Sequence, residues 1–241
     1  MPPAALIIPA RNEAPNIPGL FDALRDLPPG TVDPIVLCDN GSTDDTAALA
    51  RPRGATIVRE SRPGYGGACL AGLRHLASQP RPPAAVAFLD ADLADDPAEL
   101  PRLLAPIHRG EADLVIGSRH RLAEPGALDP HQRFGNRLAC GLLRLSTGRR
   151  YTDLGPMRAL SWEALQRLDM RDMTWGWTVE MQFKAAKRGL RVIEIDVPYR
   201  KRHAGASKIS GSLVGSWKAG TKIIGTIARL WWSERKTRAA G

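Results

Sequence analysis

Short apolar runs alternate with amphipathic stretches through the first half of this sequence. Continuous apolar runs of a few residues, bounded by Gly, Pro or Asp, are typical of strands buried on both faces. The stretches between them repeat apolar positions at the spacing of a helix. Strands are predicted at 4–8, 34–38, 55–58, 84–89 and 113–117, and helices at 16–27, 44–51, 66–78 and 97–108. This alternation predicts an α/β fold with a doubly wound, mostly parallel sheet.

The second half of the chain has a different pattern. A polar loop over about 119–130 is followed by a predicted helix at 133–147. A Trp-rich helix is predicted at 175–188, and a strand at 191–197. The 241 residues, 43% of them hydrophobic, fit one large domain or one domain with an appendage.

The cysteines and the apolar runs bear on localisation. Cys38, Cys69 and Cys140 are far apart and form no Cys-x-x-Cys pair, which argues against a zinc site and a disulfide framework. The first residues lack the basic and long apolar regions of a secretory signal, and no apolar stretch approaches about 20 residues. We therefore expect a cytoplasmic protein.

The excess positive charge lies in the C-terminal tail. The formal net charge is +9, and residues 199–241 carry ten Lys and Arg against the single acid Glu234. Residues 212–232 form an amphipathic helix pattern, with Leu213, Trp217, Ile224, Ile227 and Trp231 on one face and Lys218, Lys222 and Arg229 on the other. This pattern fits a helix lying on an anionic membrane surface. It equally fits a surface helix that packs on the sheet. The tail, 212–241, is predicted to be a unit separate from 1–211.

Two carboxylates follow the most apolar predicted strand. Asp90-Ala91-Asp92 lies directly after the run 84–89. Open α/β sheets bind ligands at the carboxyl ends of their strands, and a carboxylate pair there suits a divalent cation that also contacts phosphate oxygens. The alternative is that the pair only caps the next helix. If a metal binds here, the pattern points to a nucleoside diphosphate and a group transfer.

Three more polar clusters fall at the same edge of the predicted sheet. They are Pro9-Ala10-Arg11-Asn12-Glu13, Asp39-Asn40-Gly41-Ser42-Thr43-Asp44 and Arg62-Pro63-Gly64-Tyr65-Gly66-Gly67-Ala68. Each also has a purely structural interpretation, as a helix cap, an Asx turn or a tight glycine turn. All of them together with the Asp pair are less easily explained by turns and caps alone.

These motifs, in this order, resemble the family 2 glycosyltransferases of GT-A fold. The resemblance continues through Gly117-Ser118-Arg119, Thr152-Asp153-Leu154-Gly155-Pro156-Met157-Arg158, Gly176-Trp177-Thr178-Val179-Glu180-Met181 and Arg202-His203-Ala204-Gly205-Ala206-Ser207-Lys208. The later motifs are similar to those of dolichyl- or polyprenyl-phosphate sugar synthases. The resemblance spans about 4–212 and does not specify the donor or the acceptor.

The resemblance implies a donor site in the half 1–118. Pro9, Arg11, Glu13 and Asp39 would hold the base and ribose of a UDP- or GDP-sugar. Asp90, Ala91 and Asp92 would lie at the ribose, diphosphate and metal, with Asp90 and Asp92 binding Mg2+ or Mn2+. Arg202 and Lys208 would close over the diphosphate from a mobile loop.

The same resemblance places the acceptor in the half 119–211. Arg119, Arg133, Arg137 and Ser207 are its expected binding residues, and arginines suit a phosphate through bidentate geometry. A polyprenyl phosphate is already ionised and needs positioning and cations, whereas a hydroxyl acceptor needs a carboxylate base. The expected catalytic set is therefore Asp92 and Arg158, with Asp153 and Glu180 as candidate bases.

This chain departs from that branch at three points. Ala94 stands where mannose synthases often have a Gln that helps to bind the metal, which leaves Asp95 or Asp96 as substitutes. The run 153–158 is one residue shorter than usual. No pair of C-terminal transmembrane helices is present, so either the basic tail docks on a membrane or the acceptor is soluble.

The overall prediction is an inverting, metal-dependent glycosyltransferase that acts on a polyprenyl or dolichyl phosphate at the cytoplasmic face of a membrane. The alternative is the same donor chemistry with a soluble or glycolipid hydroxyl acceptor. A nucleotidyltransferase is less favoured, because the Gly-rich loop is displaced from the first strand. A nucleic-acid-binding protein is also less favoured, because aromatic residues are 5% of the chain and do not interleave with the basic ones.

Overall fold

The computed structural model describes residues 2–204 and 224–232. Within these residues seven strands form one sheet in the order β3-β2-β1-β4-β6-β5-β7. Six strands point the same way, and β6 runs antiparallel to both of its neighbours, β4 and β5. The strands are β1 (Ala4–Ala10), β2 (Val32–Asp39), β3 (Thr56–Arg59), β4 (Ala85–Phe88), β5 (Leu114–Ser118), β6 (Arg158–Ser161) and β7 (Val192–Asp196). The predicted α/β fold with a mostly parallel sheet is confirmed.

Helices cover both faces of the sheet. They are α1 (Ile17–Arg25), α2 (Thr46–Ala50), α3 (Tyr65–Ala77), α4 (Leu100–His108), α5 (Pro130–Thr147), α6 (Trp162–Leu168), α7 (Trp177–Lys187) and α8 (224–232). Short 3-10 turns at Arg51–Arg53 and Pro97–Glu99 follow α2 and precede α4.

Alternate residues of the central strands supply two separate cores. Ile7 and Phe88 face one core, which contains residues of α3, α5, α6, α7 and α8. Leu6 and Ile8 face the other, which contains residues of α1 and α4. Because β1 and β4 are buried on both faces, they read in the sequence as continuous apolar runs rather than as alternating ones.

The sequence analysis did not predict β6 and α6. Arg158–Ser161 is a strand of only four residues, and α6 follows without a separating Gly or Pro. The Ser161 side chain accepts a hydrogen bond from the Ala164 backbone N–H and so caps α6. The helix α5 begins at Pro130, three residues before its predicted start, because Asp129 and Gln132 form a reciprocal capping box.

The predicted C-terminal helix is described only in part. Residues 212–223 lie outside the described residues, whereas 224–232 is helical. Ile227 and Leu230 are buried in the core. Ile224, which was predicted to share the apolar face of Ile227, is instead 44% exposed, and Arg229, predicted on the cationic face, forms an ion pair with the buried Asp172 at 3.2 Å. In the described part, α8 therefore packs on the body.

No helix among the described residues is long and apolar enough to cross a bilayer.

The loop before β6 passes very close to β5. A Cβ atom at Gly155 would lie 1.9 Å from the Gly117 carbonyl oxygen, whereas a Cβ at Gly141 in α5 would meet nothing within 4 Å. Gly155→Ala is expected to lower the free energy of unfolding by about 1–3 kcal/mol or more, because backbone must move. Gly141→Ala is the control and is expected to raise it by about 0.5–1 kcal/mol through helix propensity. Urea titration measures both, and equal effects would contradict the close approach.

Candidate active site

A pocket of about 980 Å3 opens at the carboxyl ends of the parallel strands. Its walls come from the segments that follow β1, β4 and β5, from the first turns of α3 and α5, and from the loop before α7. It is the place where the sequence analysis expected the polar clusters to converge. Of the predicted site residues, it is lined by Pro9, Arg11, Glu13, Asp90, Ala91, Asp92, Arg119, Arg133, Arg137, Asp153 and Arg202.

Hydrogen bonds join the segments after β1 and β2 into one wall. The Glu13 backbone N–H donates to Thr46 Oγ1 at 2.8 Å, and the Thr43 backbone N–H donates to Asn12 Oδ1 at 2.8 Å. Asn16 Nδ2 donates to Glu13 Oε2 at 2.7 Å, which fixes the direction of that carboxylate. Contacts within the protein itself therefore hold this wall together.

Asp39 is not part of the pocket lining. It is buried, and its carboxylate accepts a hydrogen bond from the Ser42 backbone N–H at 2.9 Å, as in an Asx turn. The next residue, Asn40, lines the pocket and joins the neighbouring loops through hydrogen bonds to the Glu60 and Arg62 carbonyls. The sequence analysis did not single out Asn40, although it lies inside the motif that was recognised.

Asp90 and Asp92 lie side by side in the pocket with different partners. Tyr65 donates its hydroxyl to Asp90 Oδ1 at 3.0 Å. The Ala94 backbone N–H donates to Asp92 Oδ1 at 3.0 Å, and Arg202 Nη2 contacts Asp92 Oδ2 at 2.9 Å. Burial and the neighbouring Asp92 charge together raise the pKa of Asp90 to about 7. The pair therefore carries a charge that a cation would stabilise.

Asp95 and Asp96, the suggested substitutes for a third metal ligand, do not line the pocket. Asp96 pairs with Arg200 at 2.7 Å and caps the Pro97–Glu99 turn through the Ala98 backbone N–H. Asp95 is buried, and neither of its carboxylate oxygens has a hydrogen-bond partner. Burial, together with the charges of Asp90 and Asp92, holds the pKa of Asp95 well above its usual range.

Arg202 reaches back across the acid pair from the segment after β7. It contacts Asp92 at 2.9 Å and lies 3.9 Å from Glu13 Oε1. The His203 backbone N–H also approaches the Asp92 carbonyl at 3.4 Å. Ser207 and Lys208, predicted on the same loop, lie outside the described residues.

Arg119 and Asp153 form a bidentate ion pair on another wall. Arg119 Nε and Nη2 each donate to an Asp153 oxygen at 2.8 Å, and the Arg119 backbone N–H adds a third bond of 2.8 Å. Burial by itself would raise the pKa of Asp153, but these contacts outweigh it and hold that pKa below its ordinary value. Arg119 also lies over the Tyr199 ring, 5.0 Å from its centroid.

The structure places Glu180 and Arg158 away from the pocket lining. Glu180 is buried, pairs with Lys184 at 2.7 Å and accepts the backbone N–H of Asp172 at 2.7 Å. Arg158 is fully buried, where its guanidinium donates to the carbonyls of Leu154 and Gly155, and burial lowers its pKa. Both side chains are used within the fold, and their expected places in the catalytic set stay predictions.

The first two turns of α5 form another wall through Arg133 and Arg137. Asn136, on the same turns, donates to the Thr152 carbonyl at 3.1 Å and accepts from the Leu154 backbone N–H at 2.9 Å. These bonds tie α5 to the loop that carries Asp153. Both arginines are exposed, so they can meet an anion in the pocket.

A family model for glycosyl transferase family 2 matches residues 5–167. The chain belongs to glycosyltransferase family 2. It is 40% identical over 212 residues to an uncharacterized glycosyltransferase of Mycobacterium tuberculosis, covering 88% of this chain and 91% of that protein. It is 30% identical over 243 residues to an undecaprenyl-phosphate mannosyltransferase of Micrococcus luteus, covering 92% and 94%.

The fold of this glycosyltransferase is also that of a solved enzyme. Glucosyl-3-phosphoglycerate synthase of Mycobacterium tuberculosis, crystallised with Mn2+, UDP and glucosyl-3-phosphoglycerate, superposes with a TM-score of 0.71 at 24% identity. The match covers 94% of this chain and 78% of that one. This likeness confirms the predicted GT-A fold.

Two aromatic residues also shape the glycosyltransferase pocket, and one of them, Trp175, was not singled out from the sequence. Trp175 lines the pocket and stacks on Tyr65 with ring centroids 6.1 Å apart. Tyr65 in turn holds Asp90. The helix predicted at 175–188 begins two residues later, at Trp177, so Trp175 lies in the loop before α7 and is brought to the pocket by the tertiary fold.

The Arg119–Asp153 pair gives a pH-dependent test of the glycosyltransferase fold. Arg119→Met leaves a buried carboxylate uncompensated and is expected to lower the free energy of unfolding at pH 7 by about 3–5 kcal/mol. Asp153 has a lowered pKa in the folded wild type, so its contribution to the free energy of unfolding is present above the unfolded pKa of about 3.9 and is lost as pH falls through the lower folded pKa. The difference in free energy of unfolding between wild type and variant should therefore narrow as pH falls below about 4.

The control is Arg119→Met with Asp153→Leu, in which neither charge remains. It is expected to recover much of the lost free energy at pH 7, because no unpaired charge is left at position 153. Chemical denaturation at several pH values measures the wild type and both variants. If Arg119→Met loses the same free energy of unfolding at every pH, the assigned Arg119–Asp153 ion pair would be contradicted.

Proposed function

We propose that this glycosyltransferase moves a sugar from a UDP- or GDP-sugar to a polyprenyl phosphate, with inversion at the anomeric carbon. The observation that carries the proposal is the composition of the pocket. It joins the acid pair Asp90 and Asp92 with arginines from four different segments. The carboxylate that a hydroxyl acceptor would need as a base, Asp153, is bound by Arg119.

The acid pair fits a divalent cation that is shared with a diphosphate. Mg2+ and Mn2+ prefer oxygen ligands, and Mg2+ is commonly held by one or two carboxylates with water and substrate phosphates completing the shell. Across the described residues, no three Asp, Glu, His or Cys side chains cluster closely enough to hold a metal by themselves. We assign Asp90 and Asp92 as the protein ligands of Mg2+ or Mn2+, which when bound stabilises charge on the leaving diphosphate.

The remaining donor contacts follow from the pocket wall. Pro9, Arg11 and Glu13 are assigned to the base and ribose, because they line the pocket on the wall braced by Asn12 and Asn16. Asp39 is assigned to hold the turn beside them. Arg202, which contacts Asp92, is placed to meet the diphosphate, and the resemblance assigns Lys208 to the same task.

The positive charge of the pocket favours a phosphate acceptor. A polyprenyl phosphate brings its own nucleophilic oxygen in ionised form, so it needs cations and a fixed position rather than a base. Arg133 and Arg137 lie exposed on one wall of the pocket, and Arg119, which also lines the pocket, takes the acceptor-binding role that the resemblance gives it. Asp153 then acts as a positioning residue that fixes the Arg119 guanidinium. Glu180 and Arg158 support the fold of this region.

The activities of named relatives support a phosphate-bearing acceptor. The Micrococcus luteus relative is named an undecaprenyl-phosphate mannosyltransferase. The solved neighbour is a glucosyl-3-phosphoglycerate synthase, whose acceptor also carries a phosphate. The latter keeps open the second candidate, a soluble phosphorylated acceptor that reacts through a hydroxyl. With a polyprenyl phosphate acceptor, the enzyme works as a peripheral protein at the cytoplasmic face of a membrane.

Turnover should depend on Asp92 and on a divalent cation. Asp92→Asn is expected to reduce nucleoside diphosphate release by about a thousandfold, because several kcal/mol of stabilisation of the leaving diphosphate are lost. Asp96→Asn is the matched control, because Asp96 lies outside the pocket and Asn caps a helical turn equally well. The assay compares UDP- and GDP-sugars with Mn2+, Mg2+ or EDTA. Equal turnover of the two variants would overturn the metal assignment.

The acceptor is tested by offering a short polyprenyl phosphate, the matching prenol and 3-phosphoglycerate in parallel. Transfer to the polyprenyl phosphate alone is expected, at a rate nearly constant above pH 7, because a phosphate monoester loses its second proton at about pH 6. Product formation is measured by mass spectrometry. Transfer to phosphoglycerate, or to the prenol, would replace the proposed acceptor while leaving the donor chemistry intact.

A further inference from the structure

The helix α5 turns large apolar side chains towards solvent. Phe134 is 68% exposed, Leu138 39% and Leu145 85%. A single exposed leucine needs no explanation, but three on one helix form a patch. The helix extends from Pro130 to Thr147, and Phe134 and Leu145 are about 16 Å apart along its axis.

These side chains form one stripe. At about 100° per residue, Phe134, Leu138 and Leu145, with Gly141 among them, fall within an arc of about 60°. The buried residues of the same helix are Ala139, Cys140 and Leu143. The centre of the exposed stripe is about 180° from theirs, so the stripe points directly away from the body of the protein.

A cationic stripe runs beside the apolar one. Arg133, Arg137 and Arg144 fall within an arc of about 40° on one side of it. All three are exposed, and the helix contains no acidic residue. An outward apolar stripe with flanking arginines is the pattern of a helix that lies in the headgroup region of a bilayer.

We propose that the outward face of α5, made of Phe134, Leu138, Leu145 and the flanking Arg144, docks on an anionic lipid bilayer. The proposal rests on the proposed function in one respect, which is that a lipid-borne acceptor requires the pocket to sit at the membrane surface. Arg133 and Arg137 belong to the same cationic stripe and also line the pocket. Docking through this face therefore brings the pocket to the level of the lipid phosphates.

Charge favours a bilayer over a second copy of the chain on this face. A two-fold contact between antiparallel copies of α5 would set the arginine stripe of one copy beside that of the other, because such contacts use the same patch twice. No acid on the helix would compensate for that repulsion. In an anionic bilayer, the headgroups pair with the arginine stripe while the apolar stripe enters the acyl region below them.

The test is sedimentation of the purified chain with vesicles of phosphatidylglycerol and phosphatidylcholine. Phe134→Ser combined with Leu138→Ser and Leu145→Ser is expected to weaken partition by at least about tenfold, because three apolar side chains no longer enter the bilayer. Arg144→Gln is expected to weaken binding to phosphatidylglycerol vesicles at low salt and to leave the weak binding to pure phosphatidylcholine unchanged. Arg81→Gln, exposed in the loop before β4, is the charge-matched control and should bind like wild type.

Three outcomes would overturn the proposal. One is unchanged vesicle binding by the triple variant. Another is loss of binding only in Trp232→Ser, which would assign docking to the C-terminal helix. The third is a wild type that is dimeric and a triple variant that is monomeric by light scattering, which would assign the face to a second copy.

The proposed function is tested separately by turnover with a short polyprenyl phosphate in detergent, where no bilayer is needed. There the triple variant is expected to match wild type, since none of its substituted residues lines the pocket. Loss of vesicle binding with retained turnover supports both proposals. Loss of vesicle binding by the variant, with no turnover by wild type on any polyprenyl phosphate, would retain the docking surface and reject the acceptor.

Discussion

The shared direction of the strands is the constraint on which the rest of this structure depends. The parallel strands β1, β2, β4 and β5 end at the same edge of the sheet, so the residues that follow them must meet there. The antiparallel β6 enters the sheet between β4 and β5 in the opposite direction. The loop before β6, which carries Asp153, consequently lies at the same edge.

That convergence creates an electrostatic problem, which the arginines resolve. Asp90, Asp92, Asp95 and Asp153 all lie at this edge, and burial, together with the neighbouring carboxylate charges, raises the pKa values of Asp90 and Asp95. Arg119 neutralises Asp153, and Arg202 contacts Asp92. Asp90 is left with a neutral hydroxyl as its hydrogen-bond donor. The residual negative charge is therefore concentrated on the side of the pocket assigned to the metal.

The sequence predicts the parallel strands of the first half of the chain well, because strands buried on both faces have unbroken apolar sequences. It predicts Asp90 and Asp92 as site residues because motif and strand end coincide. It does not predict β6, whose four residues are too few to show a period, nor Trp175, whose place is fixed by contacts with Tyr65 distant in the chain. It cannot separate Asp153 from Glu180 as pocket residues, since both are acids in recognised motifs and only the packing of α7 directs Glu180 inward.

The contacts of Asp172 attach α8 to the rest of the fold. Its buried carboxylate accepts hydrogen bonds from the backbone of Thr174 and Gly176 and from Thr226 and Arg229 on α8. A chain that stopped before α8 would lose the counter-charge that Arg229 supplies to Asp172 and the side chains of Ile227 and Leu230 from the core. The loop anchored by Asp172 carries Trp175, which reaches Asp90 through Tyr65. Removing α8 would therefore act at a distance on the donor end of the pocket.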